Sequence, residues 1–162
     1  MDLEGAIRAL YDEKVEAVLI GGAAMALQGS SLITSEIAFC HERSKQNAER
    51  LARAMAPHHP RLRDASAELR FRLDAETILG SPNFKLTTDV GDIDFLAEVA
   101  GLGRYDAVRR SSVIMNINGI DCQVLSVAGL IKANKAAGRP RDVYAIPELQ
   151  ALEDLRKKTG LD

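Results

Sequence analysis

The sequence predicts a mixed α/β fold in a single domain of 162 residues. Short apolar runs alternate with stripes of apolar residues at helical spacing, which indicates strands interleaved with helices. Turn signals at residues 89–91 and 118–119 mark two hairpins, so the sheet is mixed rather than all parallel. We predict one domain over residues 1–162, with a sheet core over residues 1–125 and a helical segment over residues 126–162.

The individual elements follow from capping residues, prolines and apolar runs of strand length. Helices are predicted at residues 2–13, 23–28, 44–56, 75–79 and 126–137 and from residue 140 onward. Strands are predicted at residues 16–20, 33–40, 83–88, 92–97, 113–117 and 120–125. We expect Pro57 and Pro60 to end the third helix and open a long basic loop, and Pro147 to interrupt the last helix.

Composition and charge narrow the class of protein. A hydrophobic fraction of 46% and a charged fraction of 27% are typical of a globular domain, and the net charge of −2 predicts no strong overall attraction to nucleic acid or membrane. Cys40 and Cys122 form neither a disulfide framework nor a zinc site, so we expect buried thiols. Because no apolar stretch could span a membrane and the N-terminus lacks a signal-peptide pattern, we expect a cytoplasmic protein.

Residues 43–72 carry a local excess of positive charge, with eight Arg or Lys residues against three Asp or Glu residues. Two interpretations remain open for this basic segment. It forms either a surface that attracts a phosphate-rich partner or a solvated helix face followed by a loop.

The most informative stretch is residues 19–38, which reads as a strand, a double-glycine turn, a short helix, a Gly-Ser pair and a second strand. This order can place a phosphate-binding turn beside a strand that carries a carboxylate. It matches neither the dinucleotide-binding fingerprint nor the P-loop. With the later Gly-Asp-Ile-Asp-Phe-Leu at residues 91–96 and the Leu-Ser, Lys and Arg-Asp pattern of residues 125–142, the sequence resembles the nucleotidyltransferase superfamily, in particular its AbiEii-like group of toxin–antitoxin and phage-defence proteins.

The resemblance implies a site that transfers a nucleoside monophosphate from a nucleoside triphosphate to a hydroxyl group, with Mg²⁺ as cofactor. Glu36 stands at the first acidic position of the family's second strand, and Asp94 corresponds to the third carboxylate. Glu36 and Asp94 would therefore be the metal ligands, and Glu36, Asp94 and Asp92 the catalytic carboxylates. The residues implied to bind the nucleotide are Gly21, Gly22, Gly29, Ser30, Thr34, Lys132 and Lys135.

The sequence departs from the family pattern at the acidic strand. The family's second metal-binding Asp corresponds to Ala38, which supplies no ligand, and Glu36 has a side chain one methylene longer than Asp. Asp92 lies two residues from Asp94, so both share one face of a strand and Asp92 is a candidate replacement.

Two functions consequently remain open. One is a magnesium-dependent transferase that acts on a hydroxyl of an RNA, a protein or a small molecule. The other is a catalytically inactive module on the same fold that binds a nucleotide, a partner protein or a nucleic acid. Structural interpretations also stay open, with Glu36 as a solvent-facing residue, Ser30 as a turn residue, and Lys132 and Lys135 as a solvated stripe on a helix.

Overall fold

The computed structural model describes residues 1–66 and 68–160. Residues 67, 161 and 162 of the predicted domain lie outside the described residues, and residue 67 is the one position of the basic segment among them. The helices of the described part are α1 (Leu3–Asp12), α2 (Gly21–Leu27), α3 (Lys45–Met55), α4 (Ala75–Gly80), α5 (Tyr105–Arg110), α6 (Val127–Ala137) and α7 (Pro140–Thr159), with a short 3-10 helix at Ala56–His58. The strands are β1 (Ala17–Ile20), β2 (Ile37–His41), β3 (Arg61–Leu62), β4 (Phe84–Thr88), β5 (Gly91–Leu96), β6 (Glu98–Val99), β7 (Gly103–Arg104), β8 (Ser112–Ile117) and β9 (Ile120–Leu125).

Seven strands form one mixed sheet in the order β3-β4-β5-β2-β1-β9-β8. The two predicted hairpins are present as the antiparallel pairs β4–β5 and β8–β9. Parallel pairing of β2 with β5 and of β1 with β9 joins the hairpins to the antiparallel pair β1–β2. The predicted mixed α/β fold is therefore confirmed.

An aromatic stack forms part of the core on one face of the central strands. The ring of Phe95 lies 5.9 Å from that of Phe39 and 5.1 Å from that of Phe84, measured between centroids. His41 packs edge-on against two of these rings, with its Nε2 3.4 Å from the carbonyl oxygen of Pro82. Burial lowers the pKa of His41 to about 4, so this side chain is neutral at pH 7.

The helix starts agree with the capping residues of the sequence. Asp2, Ser44, Asp74 and Ser126 each accept a hydrogen bond from a backbone N–H three residues later, at 2.8 to 3.1 Å. Both cysteine thiols are free and buried, and desolvation raises the pKa of Cys40 to about 12 and that of Cys122 to about 11. The prediction of buried thiols is thus confirmed.

Three boundaries differ from the prediction. Strand β2 begins at Ile37 rather than at Ile33, whose side chain is fully exposed, so Glu36 precedes the strand. Helix α7 continues through Pro147, because a proline there removes a single N–H donor while Ala145 and Leu149 of the same helix are buried. The predicted loop after residue 60 contains β3.

The prediction also missed α5, β6 and β7, which are too short to show a periodic pattern. Within the described residues, no helix is both long enough and apolar enough to cross a membrane.

Candidate functional site

The structure brings the three predicted carboxylates together at one end of the central strands. On β5, Asp92 and Asp94 alternate with the buried Ile93 and Phe95, so both carboxylates leave the same face of the sheet. Asp94 lies in register with Ala38 of β2. Glu36 precedes Ala38 by two residues. Glu36, Asp92 and Asp94 are called the acidic cluster below.

The double-glycine turn lies directly beside this end of β2. Gly21 begins α2 with a φ of +66°, and a Cβ added there would lie 3.7 Å from the Cβ of Ala38. A Cβ at Gly22 would lie 2.5 Å from the hydroxyl oxygen of Thr34, a separation that no side chain could adopt without a shift. The Thr34 hydroxyl donates in turn to the carbonyl oxygen of Glu36 at 3.0 Å. These contacts explain why two glycines are needed at this turn.

All three carboxylates of the acidic cluster converge on the guanidinium group of Arg63. The nearest approach joins Arg63 Nη2 to Asp94 Oδ1 at 2.7 Å. Arg63 Nη1 lies 3.6 Å from Glu36 Oε1, and Arg63 Nε lies 3.6 Å from Asp92 Oδ2. Arg63 follows β3 and extends its pairing with β4, since its N–H donates to the carbonyl oxygen of Lys85 at 3.0 Å.

Burial divides the acidic cluster into an inner and an outer part. The side chains of Arg63 and Asp94 are 12% and 13% exposed, whereas those of Glu36 and Asp92 are 40% and 41% exposed. Arg63 Nη2 also donates to the carbonyl oxygen of Leu86 at 3.0 Å, which fixes the guanidinium between β4 and β5. Because removal of one member of a buried ion pair strands the other charge, we infer that Arg63 and Asp94 depend on each other.

A second arginine lies near the outer part of the acidic cluster. The Arg139 guanidinium binds the Asp142 carboxylate through Nε at 2.7 Å and Nη2 at 3.2 Å. Hydrogen bonding to Asp142 raises the pKa of Arg139, and the negative charge of Glu36 raises it further. The start of α7 therefore contributes positive charge beside Glu36.

A magnesium ion does not fit the acidic cluster in this arrangement. Magnesium binds oxygen ligands at about 2.0–2.1 Å, and the Arg63 nitrogen at 2.7 Å from Asp94 Oδ1 takes the space and the charge that such an ion would need. Residues 1–66 and 68–160 contain no group of three or more His, Cys, Asp and Glu side chains that could hold a metal ion. The metal-ligand roles of Glu36 and Asp94 stay predictions from the sequence.

Ser30, the serine predicted to bind phosphate, instead binds the carboxylate of Glu148 in α7. The hydroxyl of Ser30 donates to Glu148 Oε1, and the hydroxyl of Ser31 donates to Glu148 Oε2 at 2.6 Å. The N–H of Ser31 donates to both oxygens, at 3.2 and 3.3 Å. These hydrogen bonds, with that from the Ser30 hydroxyl foremost, hold the pKa of Glu148 below its usual value. Residues 28–31 are called the serine turn below.

Helix α7 holds the serine turn along one stripe of its surface. Glu148, Leu152 and Arg156 are spaced four residues apart and so lie on one side of the helix. Arg156 Nη2 donates to the carbonyl oxygen of Gln28 at 3.1 Å, and a Cβ added to Gly29 would lie 3.3 Å from Leu152 Cδ2. The C-terminal helix therefore closes the turn on which the nucleotide was predicted to bind.

Comparison with known proteins identifies the fold. The sequence matches no protein-family model and no curated protein. A crystal structure from Thermotoga maritima, described as that of a "putative nucleotidyltransferase", superimposes with a TM-score of 0.52 over 99% of this chain and 91% of that chain, at 17% sequence identity. The chain has a nucleotidyltransferase-like fold. At this identity the similarity establishes the fold alone, so the AbiEii-like group stays a prediction.

On this nucleotidyltransferase-like fold, the two predicted phosphate-binding lysines lie on the surface. Lys132 and Lys135 are exposed on α6, and neither forms an ion pair with the acidic cluster in the described part of the chain. A role in ligand binding and a solvated stripe both stay open for them.

Some charges of the basic segment bind other groups of the chain, and others remain exposed. Arg63 points into the acidic cluster, and Arg43 donates to the carbonyl oxygens of Ser81 and Leu79 at 3.1 and 2.7 Å. Five others remain exposed, namely Lys45, Arg53, Arg61, Arg70 and Arg72, of which Arg53 pairs with Glu13 at 3.3 Å. The segment is therefore less free to attract a phosphate-rich partner than its composition indicates.

Sequence reasoning missed the two residues that complete the sites, Arg63 and Glu148. Arg63 entered the prediction only as one charge of the basic segment, although the pattern Arg61-Leu62-Arg63 has the alternation of an edge strand. Glu148 lies 118 residues from Ser30 along the chain, and no local pattern connects them.

Two cavities lie away from both the acidic cluster and the serine turn. One, of about 200 Å³, lies between α1, α5 and β9, and one of about 250 Å³ lies between β3 and the segment that follows it. Neither is lined by a residue predicted to bind metal or nucleotide.

Proposed function

We propose that this chain uses the nucleotidyltransferase-like fold as a binding module and does not transfer nucleoside monophosphates. The observation that carries the proposal is the guanidinium of Arg63 among Glu36, Asp92 and Asp94. Nucleotidyl transfer depends on cations that bridge the reacting phosphates and neutralise developing charge. Arg63 supplies one positive charge at that place, but its side chain is only 12% exposed and is held by Asp94 and by the carbonyl oxygen of Leu86.

The position of Ala38 supports the same proposal. Ala38 lies directly beside Asp94 in the sheet, where a carboxylate side chain would face the acidic cluster. An alanine there offers no oxygen ligand, and the vacated side-chain space adjoins Gly21 instead. Compared with the pattern that the resemblance implies, the site therefore has one carboxylate fewer, at Ala38, and one additional cation, Arg63.

The ligand that the geometry supports is an oxyanion of the phosphate class, as carried by a nucleotide. Two hydroxyls and one backbone N–H of the serine turn already hold a carboxylate, and the same donors suit the oxygens of a phosphate group. Such a ligand would compete with Glu148. Partner proteins and nucleic acids stay open as alternatives from the sequence.

A magnesium-dependent transferase is the second candidate function. The convergence of three carboxylates beside a double-glycine turn favours it, since this is the placement that the resemblance implies. It requires Arg63 to leave the acidic cluster, so that Glu36 and Asp94 become free to hold Mg²⁺. Gly21, Gly22, Gly29, Ser30, Thr34, Lys132 and Lys135 would then be the residues around the nucleotide.

An incorporation assay with labelled nucleoside triphosphates and magnesium distinguishes the two candidates. We expect the wild-type protein and the Asp94→Ala variant to give equal background signals with RNA, protein and small-molecule acceptors. Incorporation by the wild type that Asp94→Ala abolishes would overturn the proposal in favour of the transferase. A triple variant, Glu36→Asp/Ala38→Asp/Arg63→Gln, restores the acidic pattern of the family and removes the competing cation. Incorporation by this variant, but not by the wild type, would indicate that this chain has lost a transferase activity.

Ligand binding is tested separately by calorimetry with pyrophosphate and ATP in the absence of magnesium. We expect Glu148→Gln to bind more tightly than the wild type, because the internal competitor loses its charge. In contrast, Ser30→Ala/Ser31→Ala should bind more weakly in the same Glu148→Gln background. Equal affinities for all of these proteins would exclude the serine turn as the phosphate site.

A further inference from the structure

The two edges of the main sheet differ in how they are protected from pairing with another strand. At one edge, β3 has two residues, Arg61–Leu62, and is followed by Arg63, whose side chain is 12% exposed. At the other edge, β8 has six residues, Ser112–Ile117, without a charge or a proline. Natural edge strands are usually short, charged or interrupted, because an open row of N–H and C=O groups pairs readily with a further strand. Strand β8 has none of these protections.

The side chains of β8 also extend the apolar face of the sheet to its edge. Val113, Met115 and Ile117 pair with Val124, Cys122 and Ile120 of β9, which are all buried. The β8 residues themselves are only partly covered, with Val113 40% exposed, and Ile114 on the opposite face is 63% exposed. In the part of the chain that the structure describes, no further strand pairs with β8 at this edge.

Charges of opposite sign lie at the two ends of β8. Arg109 and Arg110 end α5 immediately before the strand, and both are exposed. At the other end, the side-chain amide of Asn118 donates to Glu4 Oε2 at 2.8 Å and so holds a carboxylate beside the hairpin turn, while the other oxygen of Glu4 lies 3.6 Å from the exposed Arg8 of the same helix. A second copy placed antiparallel would bring Arg109 and Arg110 next to Glu4, whereas a parallel copy would bring like charges together.

We propose that β8 pairs antiparallel with β8 of a second copy of this chain, about a two-fold axis at Met115. In this register Val113 faces Ile117 of the other copy, and Ile114 faces Asn116. A shift by one residue would put the apolar faces of the two sheets on opposite sides, and a larger shift would leave part of the strand unpaired. The two sheets thereby form one continuous sheet whose apolar faces join.

Disulfide trapping tests both the dimer and its register. Under mild oxidation, a mixture of the Ile114→Cys and Asn116→Cys variants should form a covalent heterodimer, since directly paired Cα atoms lie about 4.5–5.5 Å apart. Each variant alone should cross-link far less, because its two cysteines are diagonal neighbours about 7 Å apart. The native thiols of Cys40 and Cys122 are buried and do not compete. A mixture that cross-links no more than the single variants overturns the proposal.

Sedimentation equilibrium provides an independent measurement on the unmodified chain. We expect a mass of twice 17.6 kDa at micromolar concentration. Met115→Lys places two like charges opposite each other and should weaken the dimer on the order of tenfold or more. Tyr144→Lys, at an exposed site on α7, is the matched control and should stay dimeric. A wild-type chain that remains monomeric at 100-fold higher concentration, or equal dimer stability in both variants, contradicts the proposal.

Discussion

The acidic cluster and the serine turn each contact a group of opposite character from a distant part of the same chain, but in opposite senses. In the acidic cluster, carboxylates on β5 and before β2 surround a guanidinium group that follows β3. In the serine turn, hydroxyl and amide donors surround a carboxylate from α7. The chain thus places a cation where the resemblance implies a metal, and an anion where it implies a phosphate.

The two regions differ most in burial. Arg63 and Asp94 are almost enclosed, whereas Glu148 lies at the surface and Ser31 is exposed. A buried ion pair is costly to break, because each charge would remain without its partner in a poorly solvated place. An exposed carboxylate can exchange its donors for water or for another anion at little cost. This difference in burial indicates that Arg63 stays paired within the acidic cluster, whereas the donors of the serine turn can exchange Glu148 for another anion.

The largest expected effect follows from removal of the cation in the acidic cluster. We expect Arg63→Ala to lower the free energy of unfolding by about 3–5 kcal/mol at pH 7, because it leaves the buried Asp94 carboxylate unpaired. Urea unfolding followed by circular dichroism measures this change. Arg61→Ala, two residues earlier in β3 and exposed, is the control and should change stability by less than about 0.5 kcal/mol. Equal effects of the two substitutions would show that the cluster is not locked by burial.

A smaller effect should separate the inner carboxylate from the outer ones. We expect Asp94→Asn to cost about 2 kcal/mol, since it removes the charge nearest to Arg63 and keeps the shape of the side chain. Asp92→Asn should cost less than about 1 kcal/mol, because its carboxylate is 41% exposed and lies 3.6 Å from Arg63. The same unfolding experiment applies. If Asp92→Asn were the more damaging variant, the division of the cluster by burial would be wrong.

Much of the fold could be predicted because its signals are local. Asp2, Ser44, Asp74 and Ser126 cap helices within three residues, and the turn at residues 118–119 joins strands that are adjacent in sequence. The elements that were missed, such as β3, are short and owe their conformation to pairing with a distant strand. Local chemistry does not encode such pairings.

The candidate site was predicted only in part for the same reason. The strand pattern predicts that Asp92 and Asp94 share a face, and the double-glycine turn predicts a close approach to β2, as found. Neither pattern predicts which cation or anion of the chain meets them. Arg63 and Glu148 reach the site through β3 and α7, whose positions depend on the packing of the whole domain.

Loss of the carboxylate at the serine turn should change local dynamics more than global stability. We expect Glu148→Ala to speed hydrogen exchange at the Ser31 amide, which loses both of its acceptors, while the amides of β5 keep their protection. Exchange followed by mass spectrometry measures both regions in one sample. Glu153→Ala, on the same helix, is the matched control, because Glu153 pairs with Lys157 and does not contact the turn. Faster exchange throughout α7 and β5 would mean that Glu148 supports the whole domain.

The smallest effect concerns pH and tests whether the Glu148 carboxylate stabilises the fold only when it is charged. Hydrogen bonds from Ser30 and Ser31 lower the pKa of Glu148 in the folded state from its usual value of 4.5. The stabilisation is therefore complete above about 4.5 and is lost as the pH falls through the lower folded-state pKa. We expect the difference in urea midpoint between the wild type and Glu148→Gln to be constant from neutral pH down to about 5 and to shrink below 4.5. A difference that persists unchanged in acid would mean that shape rather than charge holds α7 to the serine turn, and an oxyanion ligand would then have no charged competitor to displace.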